Sequence, residues 1–272
     1  MKIIDAHIHL FPPEHTYGKV MAEAVGHQNN VPHLREVYQD LNIKKAVVMS
    51  NQKLSPHHHE YDEDLFHYCI GLDTFVMKGG LTPGRIDKIE ANLKRKNCCG
   101  VKLYPGYVKL WLTDKMYYPV YELAQTYQKP VAVHMGLTAH PKAHLKYSHP
   151  LVLDEVASDF RKTKFVLCHL GNPFLQDTVA VLTKNPNVST DLSGLLEGPV
   201  DLEQYFRDYE GYTKMLKDWL CYMGCWERIL FGTDFPIVNY GDYIKFISHL
   251  VPEHHWDKVF FENANYVYKL GL

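Results

Sequence analysis

His7 and His9 stand one residue apart in the opening segment Lys2-Ile3-Ile4-Asp5-Ala6-His7-Ile8-His9-Leu10. In a strand, alternation puts both imidazoles on one side and Ile4, Ala6, Ile8 and Leu10 on the other. Two neutral imidazoles converging on one point suit zinc, nickel or ferrous iron. A pair of satisfied polar side chains is the plainer account of the same spacing. Recurrence favours the metal, because Lys102, His134, His169 and Asp234 each stand at or near the end of a later apolar run.

Those runs alternate with helix-forming stretches. Short apolar segments predict strands over Lys45–Ser50, Phe75–Leu81, Cys99–Tyr104, Pro130–Met135, Lys164–His169, Asn187–Leu192 and Arg228–Asp234. Between them, helical spacing predicts helices from Pro32 to about Asn42, Asp62 to Leu72, Ile86 to Lys96 and Tyr117 to Gln128. Further helices are expected over Pro150–Arg161, Pro173–Lys184 and Leu202–Met223. Phe11-Pro12-Pro13-Glu14 reads as loop, since paired prolines stop both helix and ladder. Eight strand–helix units within a chain of 272 residues fit an α/β fold with a parallel sheet, a single (β/α)₈ TIM barrel over 1–272. A doubly wound open sheet lacks its usual support, because no Gly-rich phosphate loop follows the first strand.

In such a barrel the reactive groups gather at the C-terminal ends of the strands, facing inward. With Lys102 inward, Val101 and Leu103 face the helices, and Tyr104 shares the parity of Lys102 and lines the pocket. With Asp234 inward, Phe231 and Thr233 point the other way. Asp191 and Ser193 close the seventh strand, where only one parity is expected to face the barrel. The loop histidines His57, His58, His59, His140 and His144 are expected in solvent.

Composition narrows the partners. Hydrophobic residues make up 46% and charged residues 22% of the 272, the profile of a soluble globular protein. With 29 basic and 31 acidic residues the formal charge is −2, which suggests neither a nucleic acid nor an anionic membrane as partner. The six cysteines form no Cys-x-x-Cys pair, and Cys221 and Cys225 read as one helix face, so a reducing, cytoplasmic setting is the simpler one. The first segment is too often interrupted by polar residues to serve as a signal peptide, and no apolar run is long enough to span a bilayer. A small-molecule substrate is the expected partner, with self-association into a homo-oligomer left open.

Asp5-Ala6-His7-Ile8-His9, Gly-Val-Lys102-Leu-Tyr-Pro, Val-His134-Met-Gly, Cys-His169-Leu-Gly-Asn and Leu-Phe-Gly-Thr-Asp234-Phe-Pro occur in that order. Together they resemble the amidohydrolase superfamily, in the branch of amidohydrolase-related hydrolases and the aminocarboxymuconate-semialdehyde and resorcylate decarboxylases. The terminal Phe261-Glu262-Asn263-Ala264-Asn265 resembles the helix that closes those barrels. The resemblance implies His7, His9, His134 and Asp234 as ligands of a buried divalent ion, zinc for preference, with one ion or two. It gives His169 either a second ion or the polarisation of a substrate carbonyl. Lys102 matches the position of a carboxylated, metal-bridging lysine, and a lysine there equally suits a substrate carboxylate.

The implied enzyme is a metal-dependent hydrolase acting on a C–N or C–O bond, amide, ester or lactone, of a small polar molecule. A divalent ion lowers the pKa of bound water from 15.7 toward about 7. Asp234 then moves the water's proton to the leaving group, and His169 stabilises charge on the carbonyl oxygen. The alternatives are a non-oxidative decarboxylase of an aromatic or muconate-like acid using the same site, and a barrel that binds a ligand without catalysis.

Overall fold

The first strand, β1 (Ile3–Ile8), is buried along its whole length. In the computed structural model, which describes residues 1–12 and 14–272, it starts an all-parallel sheet whose order is that of the sequence, β1 to β8. The others are β2 (Ile43–Ser50), β3 (Phe66–Leu72), β4 (Cys98–Leu103), β5 (Val131–Val133), β6 (Phe165–Leu167), β7 (Val188–Asp191) and β8 (Ile229–Leu230). The Ala6 amide donates to the Phe231 carbonyl at 2.9 Å and the His9 amide to the Phe235 carbonyl at 2.7 Å. These bonds bring the end of the sheet back to its beginning and close a (β/α)₈ barrel. Pro13, expected in a loop, lies outside the described residues.

Helices cover the outside: α1 (Thr16–Ala24), α2 (Val31–Asp40), α3 (Thr74–Met77), α4 (Pro83–Leu93), α5 (Pro105–Val108) and α6 (Tyr118–Thr126). The series continues with α7 (Leu151–Asp159), α8 (Leu175–Lys184), α9 (Leu202–Asp208), α10 (Glu210–Met223), α11 (Tyr240–Leu250) and α12 (Asn263–Tyr268). None of them is long and apolar enough to cross a membrane. All six cysteines are free.

Two apolar layers result. Val101, Leu103, Val133, Leu167 and Phe231 belong to the layer between strands and helices, as parity requires. The interior layer is formed by Ile4, Ala6, Val47, Met49, Cys69, Cys99, Ala132, Val166 and Leu230, and Ala264, Val267 and Tyr268 of α12 pack against it. Helix α12 therefore stoppers the end of the barrel opposite the strand C-termini. It is tied there by Asn263, whose side-chain amide donates to the Trp226 and Ile229 carbonyls at 2.7 Å each.

Four expectations need correction. Ile4 and Ala6 do not lie opposite the histidines: Asp5 pairs with Ala46 and Ile8 with Val48, so three steps of β1 run against two of β2. That bulge reverses parity, letting Ala6 and His7 both face inward. Second, Phe66–Leu72 is β3 rather than the end of a helix, and Phe75–Leu81 is no strand. The period-two spacing of Phe66, Tyr68, Ile70 and Leu72 carries the strand, whereas Asp73 caps α3 by accepting from the Phe75 and Val76 amides. Gly79 and Gly80, at φ +85° and +78°, then turn the chain out of any extended path. Third, Leu202–Met223 is two helices broken at Tyr209, and Cys225 lies beyond the end of α10, away from the exposed Cys221.

Fourth, His59 is fully buried, unlike His57, His140 and His144. Its ring stacks on Tyr68 with centroids 4.8 Å apart and its Nδ1 meets Ser50 Oγ at 3.0 Å. Burial pushes its pKa down to about 4 from 6.5. The folded state thus holds this imidazole neutral, and its contribution to stability is complete above pH 6.5 and lost as pH falls through 4. In His59→Gln, the urea-unfolding free energy should fall less steeply than in the wild type between pH 6.5 and 4. An unchanged slope would show that His59 does not set it.

Candidate metal centre

At the C-terminal mouth of the barrel, β1 delivers His7 and His9, and the turn after β8 delivers Asp234. Asp234 Oδ1 lies 3.4 Å from His7 Nε2 and 3.4 Å from His9 Nε2. The three residues form a potential cation-binding group, with ligand atoms within 4.8 Å of one another. The backbone is held in place by the Asp234 amide donating to the His7 carbonyl at 2.8 Å. Asp5 faces outward through the bulge and accepts from the Thr233 hydroxyl at 2.6 Å and from its amide at 3.0 Å. Burial raises Asp5 to about 7.

The protons on the two imidazoles are fixed from behind. Asp191 Oδ2 sits 2.9 Å from His7 Nδ1, so that nitrogen carries hydrogen and Nε2 presents a lone pair. His9 Nδ1 meets Asn51 Oδ1 at 3.0 Å. The Asn51 amide is oriented in turn by its NH2, which donates to Asp73 Oδ2 at 3.4 Å, so His9 also directs a lone pair forward. Asp234 Oδ1 is buried and has no hydrogen-bond donor. Two lone pairs and a carboxylate oxygen thus converge, with Lys102 Nζ at 3.4 Å from His7 Nε2 as the nearby donor and none for Asp234 Oδ1, an arrangement that a cation relieves.

The spacing fits as well. Atoms 2.0–2.1 Å from a tetrahedral zinc lie about 3.4 Å apart, the separation found here on both edges through Asp234. Burial and then the charge of His7 hold His9 well below the usual imidazole range, which keeps it a neutral ligand at pH 7. Burial lifts the Asp234 carboxyl, against the opposing pull of His7 and Lys102.

His134 and His169 form a separate pair beside this group. His169 Nε2 lies 3.0 Å from His134 Nδ1, while His134 Nε2 donates to the Leu137 carbonyl at 2.9 Å. The His169 ring is 4.7 Å from the His7 ring. Burial, followed by Lys102, brings His134 down to about 3, and burial, followed by His134, depresses His169. His134 therefore directs its nitrogens to His169 and Leu137, not to the cluster of His7, His9 and Asp234. Lys102 is fully buried, with Nζ 3.4 Å from His7 Nε2 and 3.0 Å from Cys168 Sγ. Tyr104 does line the site: its ring lies 5.4 Å from the Lys102 ammonium and its hydroxyl donates to Asn51 Oδ1 at 3.3 Å.

The residues least expected are those that orient the others. Asp191 and Ser193, two residues apart and so of one parity, both reach the centre, while Leu192 between them packs in the outer layer, as the single-parity expectation requires. Asp191 Oδ1 accepts from the His169 amide at 2.9 Å and from the Ser193 hydroxyl at 2.5 Å. Burial alone would raise this carboxyl, but the charge and hydrogen bond of His7 outweigh it and hold it well below the usual range. Asn51 followed a predicted strand yet carried no pattern to mark it.

Backbone strain concentrates at the same place. His169, Leu170 and Asp234 have φ of +62°, +49° and +63°, costing about 1–3 kcal/mol each for residues with a side chain. Gly194, at φ +63°, passes so close that an added Cβ would lie 3.1 Å from His169 Nδ1 and 3.3 Å from Asp234 Oδ2.

Residues 4–270 match the model of the amidohydrolase family. The chain belongs to this family. No curated protein matches its sequence. Solved structures of the same fold include a Burkholderia multivorans amidohydrolase with bound zinc, at 13% identity and TM-score 0.73, each chain covered to 99%. A probable 2-pyrone-4,6-dicarboxylic acid hydrolase from Acinetobacter baumannii shares 15% identity at TM-score 0.66, covering 99% of this chain and 100% of that one. The 2,6-dihydroxybenzoate decarboxylase from Rhizobium shares 14% at TM-score 0.68, with 99% of each chain covered. Members of this amidohydrolase fold thus include both hydrolases and decarboxylases.

Because Asp191 fixes the His7 tautomer, Asp191→Asn should weaken zinc binding by about 10- to 100-fold while leaving the circular dichroism spectrum intact. Competition with a chromophoric chelator measures this, and unchanged affinity would remove Asp191 from the support of the centre.

Proposed function

We propose that this amidohydrolase is a metal-dependent hydrolase of amide, ester or lactone bonds, with His7, His9 and Asp234 holding a divalent ion, zinc for preference. The reading rests above all on the orphaned Asp234 Oδ1 facing two imidazole lone pairs at 3.4 Å. A divalent ion at that point supplies Lewis acidity and lowers the pKa of a coordinated water toward about 7.

The protein's own groups do the rest. Asp234 takes the proton of the attacking water and returns it to the leaving nitrogen or oxygen, a role suited to a carboxyl raised by burial. The His134–His169 pair stands beside His7, and with His134 Nδ1 turned away the freed His169 Nε2–H would donate to the substrate carbonyl oxygen as it gains charge. The same turn would offer the centre a third nitrogen, its fourth ligand atom. Lys102, held under the site by Cys168 and His7, orients bound substrate or, carboxylated, joins the ion.

Decarboxylation of an aromatic or muconate-like acid is the second reading, supported by the full-length likeness to the Rhizobium enzyme. Purified protein assayed on aryl amides, esters, lactones and hydroxybenzoates, with carbon dioxide monitored, separates the two. Asp234→Asn should lower turnover by at least ~100-fold with the fold intact. Chelator treatment should abolish activity and zinc should restore it. Full turnover by metal-stripped protein, confirmed by elemental analysis, would overturn the assignment.

A further inference from the structure

A cleft of about 340 Å³ opens against His9 and continues outward from the proposed ion site. One wall is aromatic. Phe11 stacks on His15 with centroids 4.7 Å apart and planes at 17°, and Tyr17 meets Phe11 edge-on at 5.6 Å. A slot faced in this way suits a flat ring.

Its polar groups are the informative part. Asn51, Gln52 and Asp73 also line it, and no lysine or arginine lines the cleft among the described residues. Asp73 spends Oδ1 on the α3 cap, while Oδ2 has only the long 3.4 Å bond from Asn51. Lys102 supplies no counter-ion here, since it is buried beneath the site with its ammonium on Cys168 and His7. An anionic group entering the cleft would meet the Asp73 carboxylate, with no lysine or arginine of the lining to pair it.

Building on the metal-dependent reading above, we propose that the substrate is a ring-bearing molecule whose end remote from the reacting bond is cationic or a neutral hydrogen-bond donor, and not a carboxylate. The amine or amide N–H groups of such a substrate would donate to Asp73 Oδ2, with the ring lying against Phe11 and His15.

The test uses the zinc-loaded full-length chain and three benzohydroxamates that share the same metal-gripping end. They carry para-aminomethyl, para-methyl and para-carboxy groups. Calorimetry should give the aminomethyl compound the tightest binding and the carboxy compound the weakest, with at least about a tenfold spread. Asp73→Asn keeps the capping oxygen of α3 and should shrink that spread to under about threefold. Equal or tighter binding of the carboxy compound, or a spread unaffected by Asp73→Asn, overturns the charge preference while leaving the metal site standing. If none of the three binds zinc-loaded protein, the metal-dependent reading falls and this inference falls with it.

Discussion

Three electron-rich atoms aimed at one another at the mouth of the barrel set the terms for the rest of this molecule. His7 Nε2, His9 Nε2 and Asp234 Oδ1 would repel at 3.4 Å if nothing stood among them, and no donor relieves the carboxylate oxygen. A folded chain tolerates such a cluster only when the surrounding structure over-determines it. Here the constraint comes from Asp191 behind His7, Asn51 behind His9, and the left-handed backbone at Asp234.

That support is spread across the barrel, which explains why the scaffold must be closed and rigid. His7 and His9 come from β1, Asp191 from β7, Asn51 from the end of β2, and Asp234 from beyond β8. Thr233 and Asp5 tie the two edges of the sheet together next to the ligands. A shift of one strand would change the tautomer or aim of an imidazole, so fold stability and metal affinity draw on the same contacts.

Much of this was legible in the sequence. Alternating apolar runs and helical stretches gave the barrel, and His7, His9, Lys102, His169 and Asp234 all converge at its mouth. The bulge in β1 was hidden, because parity was read as unbroken and nothing in Ile4 to Ile8 marks an extra residue. The third strand was missed because β3 is buried along its whole length, so its period-two signal was blurred by His67, Cys69 and Gly71. Orienting residues such as Asn51 and Asp73 stayed invisible for a different reason. Their roles come from hydrogen bonds across strands, and a single polar residue in a loop carries no periodicity.

The stopper formed by α12 has one more implication. With Ala264, Val267 and Tyr268 filling the base of the cylinder, traffic of reactant, released fragments and solvent is confined to the rim that carries the loops. Each turnover then requires departure before the next arrival through the same doorway, so the pace of the enzyme can be governed by loops that never touch the reacting bond.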